Sequence, residues 1–451
     1  MERVKIIRLS KLPHAMFHRI KDAQIEAGKV WNLCRDLHLN ARKNSHAWPT
    51  KQDLQVGTKG LFALHSQTVQ MICHGFIANV ETTKQLRKSY PEMKMKYPWR
   101  DKTFRPLVWP KQAITYQHGR VVLPMGRGRK SLTFKIELPE QFGSIRLVWN
   151  GGYELHVCYG DQTPQPMSSL QHQQQGKACV DLGEIHQATV VCDSGKALVV
   201  SGRGIRSLKQ GRAKTYGEIQ KLKSRCKKGS RRFRKLCRAM GTISVCVERR
   251  IRDARHKGTR KIVDFCKAEG VTTVFVGDPH GVRNNKCGRK HNQRMSGWEY
   301  GKDTQYIKEK CDKASMESFT GSERGTSSQC PACGNKQKVR GRVWSCRKCT
   351  FIGHRDVVGG VNMFPLAFGS KVMFPALITY LRASPVRGAR RVNNLVHAQA
   401  LTRSSRADSP HGCKSMLSDC VAIASTARKC GSRKGLPRIA IEIRSSSPLG
   451  D

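Results

Sequence analysis

Apolar positions recur with a helical period from residue 13 to 43, through Phe17, Ile20, Ile25, Val30, Leu33 and Leu37, and again from 61 to 86. Residues 4–9 read as a short strand ahead of them. From about 93 to 159 the pattern shortens to strands set between Gly and Pro: AITYQ, RVVLPM, LTFKIEL, SIRLVW and YELHVCY. Residues 1–160 therefore form a module of mixed α and β. Basic and aromatic side chains alternate within it, in KMKYPWRDKTFRPLVWPK, which suits backbone contacts and base stacking on nucleic acid. Residues 161–176, DQTPQPMSSLQHQQQG, are a linker rich in Gln, Pro and Ser.

Beyond the linker the apolar runs sharpen. Residues 178–182, 187–192 and 197–200 read as three strands joined by turns at Gly183-Glu184 and Asp193-Ser194-Gly195, an antiparallel meander. Asp181 interrupts the first of them, and a carboxylate there is costly to bury without a partner or a cation. Long charged helices are expected over 205–266, then a β-branched strand, VTTVFVG, ending at Asp278. A basic loop over 282–297, a helix over 298–312, a strand over 317–322 and a helix after Asp356 complete the pattern. After about Phe368 it dissolves, and 369–451 reads as a basic, disordered tail. The fold class is α/β in several domains, and the order of elements suits a ribonuclease H-like core.

Charge narrows the partners. Lys and Arg number 83 against 32 Asp and Glu, a net charge of +51 that favours a polyanion such as nucleic acid. The stretch KLKSRCKKGSRRFRKLCR is basic without the alternating signs of a solvated helix face. The opening residues, MERVKIIRLSKLPHA, lack the apolar core of a secretory leader, and no apolar run is as long as a membrane span. The expected location is the bacterial cytoplasm, with the protein on the nucleoid when DNA-bound.

Eighteen cysteines could imply a disulfide framework, but most are scattered singly and four are not. Cys330 and Cys333, then Cys346 and Cys349, are two C-x-x-C pairs twelve residues apart, a spacing that can close a tetrahedron around structural Zn²⁺. His354-Arg355-Asp356 follows directly. In a ribonuclease H-like sheet, acids from the first strand, the end of the fourth and the last helix can converge. Two Mg²⁺ held there would hydrolyse a phosphodiester, and Asp181 and Asp356 fit the outer positions.

The segments VDLGEIHQATVV, RRIRDARHK, TSSQCPACG, CRKC and RDVVGGVN, in that order, resemble the TnpB (OrfB) family of transposon-encoded, RNA-guided DNA endonucleases, relatives of type V CRISPR effectors. The resemblance implies a wedge-like β-barrel and helical recognition lobe in 1–160 and a RuvC-like nuclease domain in 177–325 and 353–368. A zinc ribbon over 326–352 would interrupt that domain. Guide RNA and a double-stranded DNA target with a short adjacent motif would be the partners, with oligomeric state open. One position departs from the family pattern: its middle acid, a Glu, aligns with Gly277. Glu299 is the first candidate replacement and Asp278 the second. The alternatives to a nuclease are a guide-dependent DNA-binding protein that does not cut and a strand-transferring transposase.

Overall fold

The computed structural model describes residues 2–10, 12–92, 94–160, 176–282, 288–339 and 341–383, and the chain divides into two compact units, Met1–Pro164 and Gln165–Asp451. The linker at 161–175, part of the expected basic loop at 283–287, and the tail from 384 lie outside the described residues.

In the first unit the apolar faces read from sequence become α1 (His14–Lys43) and α3 (Ser66–Ser89). Between them α2 (Lys51–Thr58) opens with a capping box, Thr50 and Asp53 bonding each other's backbone N–H. At eight residues it is too short to announce itself by periodicity. Strand β1 (Glu2–Arg8) pairs with β7 (Tyr153–Gly160), which continues to β6 (Phe142–Trp149) and β2 (Leu107–Trp109) in a four-stranded antiparallel sheet. Strands β3 (Thr115–Gln117), β4 (Arg120–Leu123) and β5 (Leu132–Lys135) make a separate antiparallel sheet. Trp31, Phe76, Trp109, Ile20 and Leu147 are among the side chains that fill the core of this unit.

The second unit is built on a six-stranded sheet. The expected meander is β8 (Gly176–Leu182), β9 (His186–Cys192) and β10 (Lys196–Ser201), each antiparallel to the next. Strand β11 (Val271–Asp278) lies parallel beside β8, and β12 (Glu317–Ser322) parallel beside β11. Helices α4 (Arg203–Ser224) and α5 (Arg231–Ala268) connect β10 to β11 and pack through Ile219, Ile243, Val247 and Ile251. Helices α6 (Arg289–Gly297) and α7 (Tyr300–Lys313) connect β11 to β12. A hairpin of β13 (Val343–Ser345) and β14 (Ile352–His354) leads into α8 (Arg355–Phe368). Strand β15 (Leu377–Arg382) then adds to β10 in parallel.

Two expectations change here. The basic segment read as a loop over 282–297 holds α6, a helix that is polar all round and so shows no apolar period. The segment read as the start of the tail at 369 holds β15, whose Ile378 is buried and whose hydrogen bonds cover the β10 edge.

Alternation along the strands assigns the two sheet faces. Ala178, Val180 and Leu182 of β8, with Val274 and Val276 of β11, pack against Ile262 and Val263 of α5 and Ile307 of α7. Cys179 and Phe275 point the other way, onto Val357, Val361 and Phe364 of α8. By the same count Asp181 and Gly277 belong to the α8 face, whereas Gln187, at the irregular start of β9, breaks the alternation and donates to the Arg255 carbonyl of α5.

Candidate functional site

Asp181 sits one pleat beyond Cys179, against the backbone of α8. Gly359 allows this approach, because a Cβ there would stand 2.6 Å from Asp181 Oδ2. Burial, together with the nearby Glu323 and Asp356 carboxylates, pushes the Asp181 carboxyl well above its ordinary range.

Asp356 lies in the first turn of α8, where the positive end of the helix dipole favours its charge. Its Oδ2 accepts from His186 Nδ1 at 2.6 Å, and Arg342 Nη1 donates to both of its oxygens at 2.7 Å. Burial opposes ionisation, but His186 and Arg342 outweigh it and hold the carboxyl below its usual value. The β13–β14 hairpin delivers Arg342: Val343 pairs with His354, and Arg355 N–H donates to Arg342 C=O at 2.8 Å.

A third carboxylate comes from a position the sequence reading does not name. Glu323 follows the last residue of β12, and residues 319, 321 and 323 share the α8 face by alternation. Gly277 of β11 pairs with Gly321 of β12. A Cβ added at Gly277 would collide with Glu323 Oε2, so the glutamate carboxylate occupies the space a side chain at 277 would fill. That Oε2 is buried and has no hydrogen-bond partner among the described residues. Burial, reinforced by the charge of Asp278, raises the Glu323 carboxyl to about 7. Three crowded acids, two of them holding protons more tightly than usual and one with an orphaned buried oxygen, are a donor set suited to hard divalent cations.

The two named candidates for the middle acid are placed differently. Asp278 is exposed at the end of β11, on the opposite parity to Gly277, and reaches the cluster only through its charge on Glu323. Glu299 is not brought to Asp181. It precedes α7 on the α5 side of the sheet, ion-paired to Arg255 and Lys209 at 3.2 Å each and to Lys302. Burial works against its charge, but these three cations prevail and hold its carboxyl near 2. Arg255 is 2% exposed and also reaches Asp303, which accepts from Gln187 at 2.9 Å, so Glu299 belongs to a buried network that ties α5 and α7 to β9.

Cys330, Cys333, Cys346 and Cys349 come together as one group. Cys330 Sγ lies 3.7 Å from Cys349 Sγ and Cys333 Sγ 3.6 Å from Cys346 Sγ. Zn–S bonds of about 2.3 Å in a tetrahedron require S···S edges of about 3.8 Å, so the spacing fits that ion. The Lys348 N–H donates to Cys346 Sγ at 3.4 Å. Buried Trp344 packs with Cys330 and with Val358 of α8, and Asn362 of α8 donates to the carbonyls of Thr326 and Gln329 at 2.7 Å. The cysteine group is thereby fastened to the helix that carries Asp356. The protein is expected to carry about one zinc per chain by atomic absorption, and replacing Cys346 and Cys349 by Ser to abolish that content and lower the melting temperature by several degrees.

Residues 156–283 match the family model OrfB_IS605, described as a probable transposase, and residues 300–363 match the Cas12f1-like TNB domain. The resemblance to the TnpB (OrfB) family holds. A TnpB-like protein of Methanocaldococcus jannaschii is 29% identical over 143 residues, which are 31% of this chain and 50% of the relative, so the chain spans half of the curated relative it matches. Among solved structures, a Cas12f1–sgRNA–target DNA complex aligns with TM-score 0.52 and 13% identity over 78% of this chain and 83% of its own, a likeness of fold. The mini-RNA-guided endonuclease CRISPR-Cas phi3 aligns with TM-score 0.43 and 10% identity over 83% of this chain and 94% of its own. Among the described residues no helix is long and apolar enough to cross a membrane.

Proposed function

We propose that this chain is an RNA-guided DNA endonuclease of a bacterial insertion sequence, with Asp181, Glu323 and Asp356 as the carboxylates that hold two Mg²⁺. The observation that carries the reading is the convergence of these acids on the α8 face, with Glu323 filling the space above Gly277. The strand order β12-β11-β8-β9-β10, with an antiparallel meander followed by parallel additions, supports a ribonuclease H-like, RuvC-type domain. The cysteine group supports a structural zinc ribbon inserted before its last helix.

The ions, when bound, supply charge stabilisation to the scissile phosphate and lower the pKa of the attacking water. The protein's own groups prepare that state. Asp356 is kept ionised by His186 and Arg342, whereas Asp181 and Glu323, whose carboxyls are raised, would release their protons where a cation is held. Arg342, at the edge of the site, can turn to a phosphate oxygen. A net charge of +51 supports binding to guide RNA and target DNA through their backbones, with base pairing to the guide reading the sequence. The reading that the chain binds without cutting drew its support from Gly277, and the Glu323 carboxylate in that space removes the support.

The test is to sequence the RNA that co-purifies with the protein and then challenge a matched DNA target carrying randomised flanks. Double-strand cleavage that requires the matching guide, one flanking motif and Mg²⁺ is the expected result. Binding without nicking in Mg²⁺ or Mn²⁺ would return the chain to a targeting module, and joined donor–target products would make it a transposase.

A further inference from the structure

A second set of metal-type ligands adjoins the carboxylates. His186 on β9, His354 at the end of β14 and Asp356 on α8 each offer one donor atom, all within 4.8 Å of one another. The two imidazole rings are 5.2 Å apart, and Tyr380 of β15 closes the outer side of His354 at 5.8 Å. The side chains of His186 and Asp356 are only 11% and 17% exposed. His354 Nδ1 is buried and has no hydrogen-bond partner among the described residues. A buried ring nitrogen left in that condition is unfavourable, and a cation is a partner that would satisfy it.

The donor types discriminate between ions. Mg²⁺ keeps oxygen ligands and much of its water, whereas Mn²⁺, Co²⁺ and Zn²⁺ accept imidazole nitrogen readily. We propose that His186, His354 and Asp356 form a two-histidine, one-carboxylate site that binds a transition-metal dication more tightly than the Mg²⁺ that can occupy the same carboxylate. The inference deepens the nuclease reading and rests on it only for the role of that ion. Two contacts compete with an ion for Asp356: the His186 Nδ1 hydrogen bond at 2.6 Å, whose proton would have to leave, and Arg342. Its guanidinium bonds both Asp356 oxygens, and its side chain, 39% exposed, can withdraw into solvent. An ion entering the site trades places with Arg342 on the carboxylate.

Mn²⁺ is the probe, titrated into full-length, nucleic-acid-free protein whose cysteine group is already zinc-loaded. Loss of the free-ion electron paramagnetic resonance signal measures affinity, and pulsed measurements detect ¹⁴N couplings from bound imidazole. The expected result is Mn²⁺ with nitrogen couplings, displaced by Mg²⁺ only at roughly a hundredfold higher concentration. His186→Gln and His354→Gln should each remove one coupling and weaken Mn²⁺ by about tenfold or more. Arg342→Ala should tighten Mn²⁺ several-fold, a gain that a misfolded variant cannot imitate. Bound Mn²⁺ without nitrogen couplings, or histidine variants with unchanged affinity, would overturn the site. If guided cleavage then still proceeds in Mg²⁺, the nuclease reading stands without it. Nitrogen-coupled Mn²⁺ in a chain that cleaves with no ion would be the reverse.

Discussion

Glu323→Gln is expected to reduce guided DNA cleavage by about 10³-fold or more, equivalent to ~4 kcal/mol of barrier, while Glu299→Gln leaves cleavage within a few-fold of the parent. The substitution keeps the volume above Gly277 and removes only the charge that would neutralise a cation. Glu299 spends its charge on Arg255, Lys209 and Lys302, on the α5 side of the sheet. Its loss should therefore appear in melting temperature and not in the rate per folded molecule. A sharper version moves the carboxylate between strands. Gly277→Glu alone should be inactive and destabilised, since its Cβ would meet Glu323 Oε2 and stand 2.9 Å from Met363 Cε. With Glu323→Ala beside it the collision with the carboxylate disappears, leaving the flexible end of Met363 to shift and the Cβ at 323, 3.2 Å away, to give slightly. The double variant should then recover at least about tenfold over Glu323→Ala, as expected when contacting residues couple. Single-turnover cleavage of a matched target measures the parent and the five variants. A Glu323→Gln protein that cuts at the parental rate would remove Glu323 from the site.

Much of this arrangement can be read from the chain, and the part that cannot has a physical reason. The cysteine pairs are legible because their chemistry is local: each C-x-x-C is a turn, and twelve intervening residues suffice to bring two turns together. Asp181 stands out as an acid within an apolar strand. Asp356 stands out as an acid at the start of an apolar helix. Glu323 gives no such sign, since its role depends on how β12 registers against β11, and nothing in either strand alone specifies that register. The alternation that counts Asp278 off the α8 face does select residues 319, 321 and 323 once β12 is placed. Glu299 is attractive only while the connection after β11 is not assigned to a face; α7 packing with α5 puts it on the wrong one. His186 was invisible for a similar reason, because a histidine opening a buried strand looks like core until the hairpin carries His354 to it. Strand β15 is short, and its LITYLR pattern is overshadowed by the long polar sequence that follows.

Asp181→Asn should separate stability from function: no detectable cleavage, with a metal-free protein more stable than the parent by on the order of 1–3 kcal/mol. Asp181 is half-buried against α8 beside two other acids, and its carboxyl is pushed well above the ordinary range by desolvation first and by Glu323 and Asp356 next. Asparagine keeps the shape, removes the charge and can donate to a neighbouring carboxylate. The effect has a definite pH dependence. A carboxyl whose pKa is raised on folding binds its proton more tightly in the folded state. Its contribution is therefore complete below the unfolded value and is lost as pH rises through the folded one. For Glu323 that window runs from 4.5 to about 7, and Asp181 acts with the same sign. Asp356, with its carboxyl lowered, acts oppositely and only at acid pH. Without divalent ions the parent should thus lose stability between pH 5 and 8, with Asp181→Asn losing less, so the gap between them widens toward alkaline pH. Added Mg²⁺ or Mn²⁺ should reverse this in the parent alone, because the cation takes the place of the protons and the variant holds it poorly. Thermal melts of both proteins at pH 5.5 and 8, with and without divalent ion, give the comparison. A gap that narrows as pH rises would mean that Asp181 is ionised and satisfied by the protein itself, leaving no electrostatic demand for a metal at that face.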